Sequence, residues 1–312
     1  MNQEKISESA KKQSPLILGI MRMHEKSVGD AQNIIETAVD NGITMFDSAD
    51  IYGEGESDKT FGQSLKQSSL NREDLFIQSK GGIITKKMGG PRYDFSKDHI
   101  IESVEGTLKR LRIDYLDAFL LHRPDPLMQV DEIAEAFFHL RHDGKVNSFG
   151  VSNFGQNQIA LLQAGTIEPL QYNQLQFGLM HADMVAQEVT VNTDYPEGQN
   201  ATGNSGLLAY CQQQQIRIQA WSPFQYGLIS GSFIDHPDFP EVNEKLAELA
   251  NKYQVGKNAI AAAWILKHPA HIQVITGTMS PDHLKDTAKA LTVNLTNQEW
   301  YDLYLSAGYP LP

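Results

Sequence analysis

The stretch IDYLDAFLLHRPDPLMQVDEIAEAFFHLRH (113–142) decides how the chain folds. Leu116–Leu121 is a short run ending in Phe119, Leu120 and Leu121, contiguous and apolar, as in a strand covered on both faces. Beyond His122 the pattern changes, and Asp131–His142 is amphipathic at helical spacing. One strand followed by one helix is the repeating unit of a parallel sheet.

The same alternation runs outward in both directions. Seven further strands are expected at Leu16–Ile20, Thr44–Asp47, Leu75–Ser79, Ser148–Val151, Gln171–Leu175, Arg217–Ala220 and Val274–Ile275. Between them lie amphipathic segments such as Asp30–Asn41, Asp98–Leu111, Gln156–Ala164, Gly206–Gln214 and Pro281–Leu291. Asp98 reads as a helix-entry cap, with Ile100, Ile101, Val104 and Leu108 following at helical spacing. Eight right-handed βα units predict a single-domain α/β protein, a closed (β/α)8 TIM barrel over residues 16–312 behind a polar tail at 1–15. The longest non-periodic stretches, Gly81–Phe95 and Ala182–Ser205, follow strands. They are expected to be functional loops on the face where such barrels carry chemistry.

Bulk properties exclude several classes. Of 312 residues, 41% are hydrophobic and 21% charged, a globular balance. The formal net charge of −12 argues against nucleic acid or an anionic membrane as a partner. The single cysteine, Cys211, permits no intrachain disulfide and reads as a small buried residue. The N-terminal residues lack a signal-peptide core and no run is long enough to span a membrane, so a cytoplasmic protein is expected. Asn200 and Asn294 match the glycosylation pattern by chance on this reading. Gly53-Glu-Gly55-Glu-Ser-Asp58 approaches the dinucleotide-binding glycine pattern but fails at its last position. Phosphate-loop, HExxH and CxxC motifs are absent.

Four residues at or just past strand ends form a chemically coherent set: Asp47 and Tyr52 in TMFDSADIYG, Lys80 in LFIQSKGG, and His122 in DAFLLHRPD. A phenol is a reluctant acid at neutral pH. An ammonium about 4 Å away would favour the phenolate by about 4 kcal/mol at an effective dielectric near 20. On that argument Lys80 brings Tyr52 from its alkaline range toward neutrality, where a general acid serves best. Lys80, once buried, needs a carboxylate partner, and Asp47 is the candidate. His122 orients a substrate carbonyl and helps relay the proton. The set suits carbonyl reduction. Tyr52 and Lys80 stand 28 positions apart, which rules out the short-chain dehydrogenase design with Tyr and Lys four apart on one helix.

These residues, with FGVSNF (149–154), Asn173-Gln174, AWSPF (220–224) and ITGTMSPDHL (275–284), resemble the aldo-keto reductase superfamily in residue type and order. LLHRPDPLMQVDEIAEAF, GKVNSFGVSNF and the closing AGYPLP are most similar to its bacterial YdhF-like oxidoreductase subgroup. The resemblance implies an NADP(H)-dependent oxidoreductase that reduces aldehydes or ketones, with Asp47, Tyr52, Lys80 and His122 catalytic and Tyr52 the proton donor. It implies that Ser152, Asn153 and Gln174 hold the nicotinamide carboxamide and that Trp221 stacks on the ring. Ser222 and Leu228 would belong to a loop clasping the pyrophosphate. Gly277, Thr278, Ser280 and His283 would lie at the adenosine end, where many relatives carry basic residues instead of Gly277 and His283. NADP(H) is favoured and NAD(H) is not excluded. The resemblance implies no metal.

Met21, Met23, Tyr52, Met88, Tyr93, Met128, Phe224 and Tyr226 are candidates for an apolar mouth or for packing, and a small-molecule carbonyl is the expected partner. Only a short segment follows the last helical pattern, Gln298–Ser306, so a long C-terminal lid is not expected. The sequence leaves monomer and weak dimer open. A second reading is a slow-turnover, nucleotide-sensing regulatory or partner-binding protein on the same fold.

Overall fold

A computed structural model describes residues 13–195 and 206–312. Most of the expected N-terminal tail, the end of the Ala182–Ser205 stretch and Asn200 therefore lie outside the described residues.

Eight parallel strands close into a barrel. They are β1 (Leu16–Gly19), β2 (Met45–Asp47), β3 (Phe76–Gly81), β4 (Ala118–Leu121), β5 (Phe149–Ser152), β6 (Leu170–Gln176), β7 (Arg217–Trp221) and β8 (Gln273–Thr276). Each overlaps its expected run. Neighbours in sequence are neighbours in space, and β1 closes the ring by pairing with both β2 (Gly19 opposite Asp47) and β8 (Leu16 opposite Val274).

Helices cover the outside. The first, α1 (Val28–Asp40), starts where the Ser27 side chain accepts a hydrogen bond from the Asp30 amide at 3.1 Å, satisfying one free N–H of the first turn. It buries Ala31, Ile34, Ile35 and Ala38 at helical spacing against the barrel. Each large aliphatic side chain so buried stabilises the fold by roughly 1.5–3 kcal/mol. The second, α2 (Glu56–Gln67), follows β2, and α3 (Lys97–Leu111) follows β3. Next come α4 (Val130–His142), α5 (Gln156–Gly165), α6 (Asp183–Val189), α7 (Leu207–Gln213), α8 (Pro240–Tyr253), α9 (Lys257–Leu266), α10 (Pro281–Ala288) and α11 (Asn297–Ser306).

Asp98 does not cap α3. Ser96 occupies the cap position, and its hydroxyl donates to Asp94 at 2.7 Å rather than bonding the helix. The Lys97 amide is satisfied across the helix–helix interface by Glu132 at 2.9 Å, leaving Asp98 exposed inside the first turn. Pro281–Leu291 is not one helix either, since α10 ends at Ala288 and a 3-10 turn takes over at Lys289–Thr292. The two long loops carry short elements of their own. Ile83–Ile84 pairs with Arg92–Tyr93, and α6 lies within the second stretch. Among the described residues, no helix is long and apolar enough to cross a membrane.

Inside the barrel, Ile17, Met45, Phe76, Ala118, Leu120, Tyr172 and Ile275 form an apolar layer with Trp221 packed against it. Strand side chains two apart share a face, so Met45 and Asp47, and Phe76, Gln78 and Lys80, all project into this interior. Polar side chains therefore share the barrel interior with this apolar layer and reach the C-terminal ends of the strands.

Candidate active site

Lys80 and Asp47 come from adjacent strands and are 1% and 2% exposed. The Lys80 ammonium sits 2.7 Å from each Asp47 carboxylate oxygen and 2.8 Å from the Ser48 carbonyl. Burial is the largest influence and lowers the Lys80 pKa, but Asp47 and Tyr52 together outweigh it and the net direction is upward, so Lys80 is an ammonium. A lone buried charge would be prohibitive, and the pair with its added hydrogen bonds makes the arrangement tenable.

Tyr52 reaches the same point from the turn after β2. The Tyr52 amide bonds the Ala49 carbonyl and the Asp50 amide bonds the Lys80 carbonyl, tying the turn to β3. The turn continues through Gly53, at φ 55°, in the left-handed region that favours glycine. A β-carbon there would also meet the His24 ring at 2.7 Å. The Lys80 ammonium lies 5.2 Å from the Tyr52 ring centre. The expected drop in the Tyr52 pKa is not found. Burial is the largest influence and raises it; Lys80 lowers it, but the Asp47 and Asp50 carboxylates oppose Lys80 and the net direction is upward. The attraction expected between Lys80 and a Tyr52 phenolate is offset in the fold by burial of Tyr52 and by the charge of Asp47, the partner expected for Lys80, at contact distance.

His122 follows β4, its amide bound to the Gly81 carbonyl. Its ring meets Tyr52 edge-on, with centres 6.1 Å apart. Burial, with the charges of Lys80 and Arg123, holds its pKa well below the usual histidine range. At neutral pH it is an uncharged imidazole that can donate one hydrogen bond. The four residues thus form one cluster of a carboxylate, an ammonium, a phenol and a neutral imidazole.

A second group adjoins it at the ends of β5, β6 and β7. The Ser152 hydroxyl donates to the Gln174 carbonyl at 3.0 Å, and the Asn153 amide donates to Ser152 at 2.8 Å and to the His122 carbonyl at 3.3 Å. The Asn153 side-chain oxygen accepts from the Trp221 indole N–H at 3.1 Å. That bond, made at the indole edge, orients a half-buried ring that packs against the apolar layer and has the Arg123 guanidinium 5.7 Å from its centre. The Gln174 side-chain amide donates inward, to Asp47 at 2.9 Å and Gln219 at 3.2 Å, which leaves its side-chain oxygen, distinct from the backbone carbonyl that Ser152 bonds, as an acceptor. Donors, acceptors and an aromatic face beside the proton-transfer cluster fit a flat ring bearing a carboxamide.

The expected phosphate region is more open. Ser222 adopts a left-handed conformation at φ 49°, and Leu228 is 73% exposed on a loop braced by Gln176 donating to the Gly227 carbonyl at 2.7 Å. Beyond β8, Gly277 and His283 are exposed, while Thr278 and Ser280 are half-buried. Ser280 caps α10 through a bond from the His283 amide. Arg22, from the loop after β1, donates to the Gly277 carbonyl at 2.6 Å. Sequence reading missed this cation, which lies 255 positions away along the chain. It missed Arg123 too, whose guanidinium stands 5.7 Å from the Trp221 ring centre; the place of Arg123 directly after His122 was the available signal.

Of the mouth candidates, Met21, Met88 and Tyr93 are exposed, and Met128, Phe224 and Tyr226 are partly buried against the core. Met23 is fully buried and belongs to the core, because the loop after β1 folds under α2. Cys211 is fully buried, with its thiol pushed up to about 12 by burial, so it is a packing residue rather than a nucleophile.

Comparison with known proteins shows which family the chain belongs to and shares its fold with. A family model described as "Aldo/keto reductase family" matches residues 15–304. The oxidoreductase YdhF of Escherichia coli (strain K12) is 34% identical over 96% of this chain and 95% of its own length. A 6-dehydroglucose reductase of Agrobacterium fabrum is 32% identical over 94% of each. An aldo-keto reductase from Klebsiella pneumoniae, solved in complex with NADPH, superimposes with a TM-score of 0.73 at 25% identity, covering 95% of this chain and 91% of that one.

Proposed function

The chain belongs to the aldo/keto reductase family, and from that premise we propose that it reduces aldehydes or ketones to alcohols with NADP(H), Tyr52 giving the proton. The observation that carries the proposal is the buried Lys80–Asp47 pair set beneath Tyr52 and beside a neutral His122. Bound nicotinamide supplies the hydride. Ser152, Asn153 and Gln174 offer the hydrogen-bonding groups to hold its carboxamide, and Trp221 the face to stack on it. Phosphate contacts would come from Ser222 and Leu228, then from Gly277, Thr278, Ser280 and His283, with Arg22 adding a positive charge.

The protein groups divide the work at the carbonyl oxygen. Tyr52 and His122 both donate to it, which holds the carbonyl and stabilises negative charge as it develops. A neutral His122 serves as a donor without competing for the proton. Lys80 is fixed where it stabilises the phenolate that remains once Tyr52 has transferred its proton. A raised Tyr52 pKa keeps the acid loaded beforehand, so the ammonium acts on the product of proton transfer more than on the resting phenol.

Tyr52→Phe removes the donated proton while keeping the ring. Turnover with an aldehyde and ketone panel, including a sugar 6-aldehyde of the kind the Agrobacterium relative is named for, should fall by about 10²–10⁴-fold, the usual share of general acid catalysis. NADPH affinity, read from quenching of Trp221 fluorescence, should change little. Near-wild-type turnover in this variant would remove Tyr52 from the mechanism.

A further inference from the structure

Beside Asp47 a run of buried amides crosses the barrel interior. Gln78 and Gln219 are 0% exposed and Gln273 is 3% exposed, where such barrels usually carry branched apolar side chains. Gln78 donates to Asp47 at 2.7 Å and to the Gln219 oxygen at 2.7 Å, and Gln219 donates back to the Gln78 oxygen at 2.9 Å. Gln219 also donates to Gln273 at 3.1 Å, and Gln273 donates to the Ser14 backbone carbonyl at 2.9 Å. The column ends on two groups that can only accept, a carboxylate above and a carbonyl below. Those two ends fix the direction of every amide between them.

At the upper end the column breaks the symmetry of the carboxylate. Lys80 is equidistant from both Asp47 oxygens, but the amides of Gln78 and Gln174 both land on Oδ1. A carboxylate held at one oxygen cannot rotate freely, and the ammonium bonded to it, which also donates to the Ser48 carbonyl, stays facing the Tyr52 ring, 5.2 Å from its centre.

We propose that Gln78 and Gln219 are positioning residues of the active site, which hold Asp47 in the orientation that aims Lys80 at Tyr52. The inference rests on Tyr52 being the proton donor. The charged and titratable groups facing Tyr52 are Lys80 on β3, Asp47 on β2, Asp50 in its own turn and His122 after β4. Loss of the column loosens Lys80, and the phenolate at Tyr52 becomes harder to form.

The test compares Gln78→Leu with the paired Gln78→Leu/Gln219→Leu variant. In the pair both partners of the amide dimer leave together, which limits the cost of stranding a buried amide. We expect kcat to fall about tenfold or more while NADPH affinity stays within about twofold. The pH at which alcohol oxidation reaches half its maximum should rise by about half a pH unit or more, which a purely structural role would not produce. A folded, NADPH-binding variant with wild-type kcat and pH profile overturns the inference. Failure of both variants to fold also counts against it, since the column would then serve the barrel rather than the acid. Tyr52→Phe measured alongside separates the two claims. If that variant stays active, the proton-donor assignment fails; if it is inactive while the glutamine variants match wild type, only the positioning role fails.

Discussion

The floor of the barrel mouth and its rim are built on opposite principles. On the floor, Asp47, Lys80, Gln78 and Gln174 are all at most 2% exposed and bonded to one another at 2.7–2.9 Å. On the rim, Leu228 is 73% exposed, Gly277 and His283 are exposed, and Arg22 is held by a single bond to a backbone carbonyl. The floor is preorganised, so each group is worth much because it sits in low dielectric with its partners already placed. The rim works in water, where individual charges and loops contribute little and substitution is tolerated. Gly277 and His283, where the resemblance leads one to expect basic residues, lie on this exposed rim.

This contrast orders the expected effects of mutation. The largest belongs to Lys80→Met, which strands the Asp47 carboxylate without its cation. Removing one partner of a buried ion pair typically costs about 3–5 kcal/mol, so chemical denaturation should show a loss of that size together with a large fall in kcat. A loss under about 1 kcal/mol, the level of a surface pair, would break the contrast between floor and rim.

Next comes the support behind the turn that carries Tyr52. Asp58 is fully buried, and burial pushes its pKa up to about 6 against the opposing bonds from Ser48 and Arg110. An acid with a folded pKa above its unfolded value favours folding while it is protonated, and that contribution is lost as pH rises from the unfolded pKa through the folded one. Between pH 4 and pH 6 the stability difference between the wild type and Asp58→Asn should therefore move in the variant's favour, by about 3 kcal/mol at most. Thermal or urea unfolding of both proteins at pH 4 and pH 7.5 would sharpen the comparison. A difference that does not change with pH would mean that Asp58 is better solvated than its surroundings suggest.

The smallest effect is expected on the rim. Arg22→Ala should weaken NADPH binding by about two- to fivefold, the worth of an exposed charge, and added salt should shrink the difference. Fluorescence titrations at low and high salt would measure it. A hundredfold loss would place Arg22 with the floor.

How much of this was legible in the sequence follows from the same physics. The eight strands could be read because strands covered on both faces leave short apolar runs. The four clustered residues could be read because each ends or follows such a run. The second helix was harder to see. Its buried face includes Ser57, Asp58, Gly62 and Ser64 alongside Phe61 and Leu65, so it carries no clear apolar stripe. The ninth helix hides for the opposite reason, being buried almost all round from Ala259 to Ile265. Capping failed at Asp98 because a neighbouring helix supplied the acceptor that local sequence seemed to offer.

The sequence by itself determined the strand–helix order, the family motifs and which chemical groups stand at the strand ends, because these depend on local periodicity and residue type. Only the tertiary structure decided what surrounds them. It paired Gln78 with Gln219 across 141 positions and brought Arg22 to Gly277 across 255. It also set the direction of the Tyr52 pKa. Burial and compensation by Asp47 are sums over neighbours from several strands, and no spacing along one chain encodes such a sum.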